Sequence, residues 1–218
     1  MADVSRETPY APELARRAFS SERLPLAERY VGLLASHGVE RGLVGPREAP
    51  RLWERHVLNC LALSSVVPST ATVADLGSGA GLPGLVLAIG RPDLRITLVE
   101  PLQRRVTFLD EVIGTLSLDN VVTVRGRAEE LHGRETYDVV TARALAPLGR
   151  LLTWAMPLVA SHGALLAMKG STAADEVAAA GAQLRKLRCA TPEVLTVIGP
   201  DGSSTATVVR VAHGQPHG

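Results

Sequence analysis

Apolar positions along the chain follow two rhythms, and the change comes near residue 68. Before it they recur at the spacing of helices with one buried face. Helices are predicted over 11–20 and 24–38, the second carrying Leu26, Tyr30, Leu33 and Leu34 on one side. A third runs from about Arg51 to Val67 and is ended by Pro68, after a glycine- and proline-containing stretch at 42–50, GLVGPREAP. Residues 1–10 are polar and read as disordered. Beyond residue 68, short apolar runs alternate with helical stretches. Strands are predicted at 72–76 (TVADL), 95–100 (RITLVE), 121–125 (VVTVR), 137–142 (YDVVTA) and 164–168 (ALLAM). Helices fall between them at 83–90, 102–116, briefly near 128–132, and 147–160. Pro101 and Pro147 stand where a first helical turn begins, where the missing N–H does no harm.

Near-continuous apolar strands alternating with helices predict a parallel sheet covered on both faces. The end of the chain departs from that rhythm. A helix at 172–188 leads to 193–198 (EVLTVI), the turn-rich GPDGSS, and 205–212 (TATVVRVA). Two strands joined by six residues pair antiparallel. The expected fold is therefore α/β and Rossmann-like, with a mostly parallel seven-stranded sheet and an antiparallel last strand. That finish is unlike a plain dinucleotide-binding sheet and similar to the class I methyltransferase sheet. The expected division is an N-terminal helical lobe at 1–68 and an α/β domain at 69–218.

Composition narrows the picture. At 218 residues and 46 % hydrophobic, the chain can bury a sizeable core. Aromatics are 3 %, so that core is mostly Leu, Val and Ala. A net charge of +1 does not by itself announce a nucleic-acid binder. Apart from Lys169 and Lys186, Arg supplies all the Lys and Arg positions. GC-rich codon usage accounts for that bias, and so does a preference for bidentate phosphate contacts. Cys60 and Cys189 form neither a metal spacing nor a disulfide framework, which suits a reducing cytoplasm. The start, MADVSRETPY, lacks the apolar core of a signal peptide, and apolar runs such as 57–67 are too short to span a bilayer. A cytoplasmic monomer with no membrane contact is expected.

The chemistry concentrates in Val73–Gly84, VADLGSGAGLPG, which runs from a buried strand into a helix. Gly77, Gly79 and Gly81 allow a tight turn and close approach of a ligand to the backbone, and the free N–H groups of the next helix favour a polar or negative atom. A glycine-rich loop alone also fits an ordinary β–α turn. Three acids sharpen it. Asp75 ends its strand just before the glycines, where a pyrophosphate would be repelled but a sulfonium or ammonium would not. Glu100 ends the second strand, 19 residues after Gly81, a position suited to ribose hydroxyls. Glu129, in GRAEE, follows the third strand, where backbone and side chain can flank an adenine. Each acid alone reads equally well as a helix cap or a solvated charge. Together, at carboxyl ends of strands, they point to S-adenosylmethionine.

These segments carry a resemblance over nearly the whole chain. The sequence resembles the bacterial small-subunit ribosomal RNA guanine-N7 methyltransferases, also called glucose-inhibited division protein B. DLGSGAGLPG at 75–84 is the strongest segment, followed by RRVTFL at 104–109, RAEE at 127–130, TARALAPL at 141–148 and MKG at 168–170. ERHVLNC at 54–60 is similar to the family's RH-x-x-D-S segment, with Asn59 and Cys60 standing where Asp and Ser are usual. A role that needs a carboxylate there does not carry over. The resemblance implies cofactor contacts from Gly77 and Leu82, an adenine flanked by Ala128 and Glu129, and Arg143 beside the methionine end or the RNA. It also implies 16S ribosomal RNA as partner, and the weak net charge favours a small subunit or an assembly intermediate over naked RNA.

Guanine N7 carries an in-plane lone pair and needs no proton removed, so catalysis by positioning suffices. The sequence supplies no compelling general base, no N-P-P-Y segment for exocyclic amines, and no Pro-Cys setting for attack on pyrimidine carbons. N7 faces the deep major groove of an RNA helix, so a loop or unstacked guanine is the expected target. Arg143 and Lys169 are the candidate catalytic residues, and Arg104, Arg105, Arg51 and His56 the candidate RNA contacts. Each of these also reads as a plain surface charge, and His56 as a half-buried histidine of the helical lobe. Three alternatives stay open at this point. One is a dinucleotide-dependent oxidoreductase, another a methyltransferase of a different RNA, a protein or a small molecule, and the third a non-catalytic RNA-binding module.

Overall fold

The computed structural model describes residues 11–214. The chain opens with α1 (Glu13–Ala18) and α2 (Leu24–Leu33), which runs on into a π-helical turn at Leu34–Gly38. The third helical stretch changes pitch along its length. It passes from a 3-10 turn (Ala49–Arg51) through a π segment (Leu52–Leu58) and α3 (Asn59–Ala62) to a second 3-10 turn (Leu63–Val66). The sheet domain then alternates β1 (Thr72–Leu76), α4 (Gly84–Gly90), β2 (Arg95–Glu100), α5 (Gln103–Leu116) and β3 (Val121–Arg125). A 3-10 turn at Ala128–Leu131 precedes β4 (Tyr137–Arg143) and α6 (Leu148–Ala155). The chain closes with β5 (Val159–Lys169), α7 (Ala173–Ala179), α8 (Gly181–Lys186), β6 (Glu193–Ile198) and β7 (Thr205–Ala212).

The seven strands lie in the order β3-β2-β1-β4-β5-β7-β6. Strands β1 to β5 pair in parallel, and β7 runs antiparallel to both β5 and β6. The expected seven-stranded sheet with its antiparallel last strand is therefore present. The insertion of β7 between β5 and β6 departs from the 3-2-1-4-5-6 order of dinucleotide-binding sheets. The strand order reverses between the parallel neighbours β1 and β4, the switch point where open α/β sheets bind ligands at their carboxyl ends.

The larger differences from the predicted elements lie in the second half of the chain. Strand β5 starts at Val159, not 164, so the helix predicted over 147–160 stops at Ala155 and a 3-10 turn, Met156–Leu158. The pairing register slips between Tyr137 and Val139, and Gly163 crosses so close to Asp138 that an added Cβ would lie 2.5 Å from its carbonyl oxygen. Such an irregularity breaks the alternation by which a strand is read. The helix predicted over 172–188 is two, divided at Ala180 just before Gly181, a poor helix former.

The N-terminal helices do not stand apart from the sheet. Tyr30, Leu34, Leu58 and Leu61 share one apolar cluster with Leu85, Ile89 and Phe108 on the face covered by α4 and α5. The opposite face packs Leu148, Leu151 and Leu152 of α6 on Val140, Leu165 and Val209. Among the described residues, no helix is long and apolar enough to cross a membrane. The polar segment 1–10 lies outside the described residues.

Candidate active site

The loop after β1 is built by its glycines. Gly77, Gly79 and Gly81 have φ of +66°, +58° and +94°, a region where a side chain costs about 1–2 kcal/mol. The Gly77 and Ser78 N–H groups donate to the Val99 carbonyl at 2.8 and 3.3 Å. Gly84 begins α4 where no larger residue fits, since a Cβ there would lie 2.3 Å from Leu98 Cδ2 and 2.8 Å from Asp75 Oδ2.

Asp75 lies beneath this loop, fully buried. Its Oδ2 accepts from the Gly84 N–H at 3.0 Å, while its buried Oδ1 has no hydrogen-bond donor. Burial pushes its pKa up to about 7, against the pull of the Gly84 and Ser78 hydrogen bonds. Glu100, also buried, grips the loop from β2. Its Oε2 accepts from the Gly79 N–H at 3.0 Å and from Arg105 Nη1 at 3.4 Å, and its Oε1 from the Leu102 N–H at 3.0 Å. From the other side the Tyr30 hydroxyl of α2 donates to the Ala80 carbonyl at 2.8 Å. Burial drives that phenol well above its ordinary range, so it stays a neutral donor.

Arg143 ends β4 and reaches back to the third helical stretch. Its Nη1 donates to Cys60 Sγ at 3.4 Å, and its Nη2 to the Arg55 carbonyl at 3.2 Å and to His56 Nδ1 at 2.6 Å. The Asn59 N–H turns to the His56 carbonyl, three residues back, and the Arg55 carbonyl, its ordinary α-helical partner, is met by Arg143. Three of the five guanidinium N–H donors are engaged in this way. The Cys60 thiol is pushed up to about 11 by burial, which leaves it protonated and unreactive.

Lys169 ends β5 with its side chain 9 % exposed. Its Nζ donates to the Ala146 carbonyl and to Glu176 Oε2, both at 2.7 Å. Glu176 Oε2 also accepts from the Leu148 N–H at 2.8 Å. The pair thus fastens the C-terminal end of the loop 144–147, where it runs into α6. In that loop Leu145 lies over Gly77, where an added Cβ would come within 2.5 Å of Leu145 Cδ1. Asn59, Arg143, Leu145, Pro147, Lys169 and Glu176 line a cleft of about 720 Å³ at this end of the sheet.

The sequence-predicted residues thus fall into two groups and a remainder. Asp75, Gly77, Gly79 and Glu100 form one hydrogen-bonded loop, and Arg143 and Lys169 line the adjoining cleft. Leu82 is half-buried against the core. Ala128 and Glu129 begin the 3-10 turn after β3, where Glu129 is exposed and Glu130 turns back to the Arg127 N–H. Arg104 and Arg51 are exposed. Arg105 and His56, the other two candidate RNA contacts, are both turned onto protein partners, His56 as the half-buried lobe histidine it also read as. Tyr30, Glu48, Leu145 and Glu176 were not singled out by the sequence. Tyr30 read as core, and Glu176 carried one visible signal, its place seven residues after Lys169 at a helix start.

The family described as rRNA small subunit methyltransferase G matches residues 23–201, a span that holds all of these groups. "Ribosomal RNA small subunit methyltransferase G" of Nocardioides sp. is 63 % identical over 214 residues, 98 % of this chain and 86 % of that protein. The protein of the same name from Streptomyces avermitilis is 54 % identical over 213 residues, 97 % of this chain and 89 % of that protein. Among solved structures, precorrin-6y C5,15-methyltransferase from Geobacter metallireducens superposes with a TM-score of 0.52 at 15 % identity. That match covers 79 % of this chain and 91 % of the other, and it shows the shared fold alone. With a family match across most of its length and such identity to whole relatives, the chain belongs to the small-subunit ribosomal RNA methyltransferase G family.

Proposed function

We propose that the chain transfers the methyl group of S-adenosylmethionine to N7 of one guanine in a loop of 16S ribosomal RNA. The observation that carries this reading is the buried Asp75 under a three-glycine loop, beside Glu100, in a member of this family. The donor set fits the cofactor. Asp75 Oδ1 is a buried acceptor without a donor, and a cationic ligand relieves such a group. Glu100 has lone-pair capacity left for ribose hydroxyls beyond the three hydrogen bonds it accepts. Backbone at Gly77, Gly79 and Leu82 would approach the ligand, and Ala128 and Glu129 would flank its adenine. When bound, the cofactor supplies an electrophilic methyl group on a sulfonium.

The residues of the chain hold the nucleophile. N7 attacks with an in-plane lone pair, so no general base is needed and alignment is the catalytic task. Arg143 keeps Nε–H and one Nη1–H for a base or phosphate acceptor. Lys169 acts through the loop it fastens, with two of its three N–H donors engaged by Ala146 and Glu176. The near-neutral chain has little nonspecific affinity for RNA, which favours a small subunit or an assembly intermediate as substrate over naked RNA. Deleting the gene and mapping 7-methylguanosine by chemical cleavage of 16S ribosomal RNA tests the reading. The expected result is loss of one modified guanine, restored by the plasmid-borne gene. An unchanged cleavage pattern would sink it.

A further inference from the structure

Among the described residues, Arg143 is one of two cations lining the cleft, and its orientation is set from outside the sheet. His56 Nδ1 lies 2.6 Å from Arg143 Nη2, and its Nε2 lies 2.9 Å from Glu48 Oε2. A guanidinium can only donate, so Nδ1 must be the acceptor and the ring proton must sit on Nε2, pointing at Glu48. We propose that Glu48 and His56 are positioning residues for Arg143: the carboxylate fixes the histidine as its neutral Nε2–H tautomer, and the free Nδ1 holds the guanidinium toward the guanine. This rests on the reading of the cleft as the guanine site, and it names two residues as parts of that site.

The surroundings agree with a neutral ring. The His56 side chain is 16 % exposed. The charges facing it are Glu48 from the preceding turn, Arg55 on its own helix and Arg143 from β4, with Arg51 and Cys60 behind those partners. Burial, then the Arg143 charge, holds the imidazole below the ordinary histidine range, against the pull of Glu48. Glu48 in turn is held low by its hydrogen bond to His56. Protonation of His56 removes the acceptor and sets a cation against Arg143, so the relay fails as pH falls.

Two measurements test it. In protein labelled with ¹⁵N-histidine, His56 at neutral pH is expected to show an unprotonated Nδ1 and a protonated Nε2. A protonated Nδ1 would overturn the proposal without bearing on the function. In methyl transfer to small subunits from the deletion strain, His56→Ala is expected to lower kcat by about 10²-fold, the cost of a misplaced contact, with S-adenosylmethionine affinity kept. His56→Asn, whose Oδ1 falls near the place of Nδ1 and does not titrate, is expected to restore much of that rate and, with S-adenosylmethionine kept saturating at every pH, to lose the acid limb of the kcat profile. Glu48→Gln keeps an acceptor for Nε2–H but removes the charge, so the acid limb moves to lower pH. An acid limb that persists in the kcat of His56→Asn at saturating S-adenosylmethionine, or a His56→Ala rate equal to wild type, refutes the relay. Absence of transfer by the wild type would refute the function instead, with the tautomer still decided by the spectrum.

Discussion

Replacing Asp75 by Asn separates the cost of a buried carboxylate from its use. The side chain is fully enclosed, with Oδ2 bonded to Gly84 and Oδ1 unmatched. Its folded pKa stands at about 7, against about 3.9 for an Asp in an unfolded chain. A raised folded pKa means that the folded state holds the proton more tightly. The contribution to stability is then greatest below about pH 4, falls as pH rises toward about 7, and is flat above that. At about 1.4 kcal/mol per pH unit, the carboxylate costs about 4 kcal/mol at pH 8 and about 1.5 kcal/mol at pH 5. Asn does not titrate. Its fixed cost is a buried amide N–H in place of Oδ1, about 1–3 kcal/mol and the same at both pH values. Urea unfolding of the cofactor-free wild type and Asp75→Asn at pH 5 and pH 8 isolates the titration, because the fixed cost cancels in the double difference. Asn is expected to gain about 2–3 kcal/mol relative to Asp between the two. An equal difference at both pH values would show that Asp75 is not held protonated by burial.

Three further outcomes are expected. S-adenosylmethionine should need the ionised Asp75, so its affinity should fall about tenfold per pH unit below about 7; calorimetry that finds a flat affinity separates Asp75 from the ligand. Tyr30→Phe leaves the Ala80 carbonyl without its buried donor, at a cost of about 1–3 kcal/mol. It should also speed amide hydrogen exchange in the loop 77–84, and unchanged exchange there would show that Tyr30 does not hold the loop. Gly84→Ala should destabilise by about 1–3 kcal/mol through overpacking against Leu98 and Asp75. Gly114→Ala, with open space around it on α5, should stabilise by about 0.5–1 kcal/mol. Thermal unfolding that ranks the two glycines the other way contradicts the packing.

Strands β1, β2 and β3 were legible to the residue because each is an unbroken run bounded by a glycine, a proline or a polar turn, and strand ends locate a ligand site before any side chain is placed. Asp75 and Glu100 were found for that reason, and Arg143 through the family resemblance. The early start of β5 was not legible, because Ser161, His162 and Gly163 interrupt its apolar pattern where the sheet slips register. The partners of the site residues were hidden by a different cause. His56 meets Arg143 across 87 residues and Tyr30 meets Ala80 across 50, and a single long-range pairing leaves no period in the sequence.

Those hidden partners have a feature in common that explains why the N-terminal helices share a core with the sheet. Tyr30 buries its ring with Leu34 and Phe108 and spends its hydroxyl on the glycine loop. The third helical stretch buries Leu58 and Leu61 in the same cluster and turns His56, Cys60 and the Arg55 carbonyl onto Arg143. The apolar contact fixes each helix against α4 and α5, and the polar atom at its edge is thereby held at the site. A substitution that loosens the packing, such as Leu61→Ala, is then expected to lower methyl transfer by more than its effect on overall unfolding accounts for. Cysteine pairs that lock the helix to α4 without touching the cleft should recover the lost rate. Recovery of stability without recovery of rate would mean that the helices shield the site and do not position it.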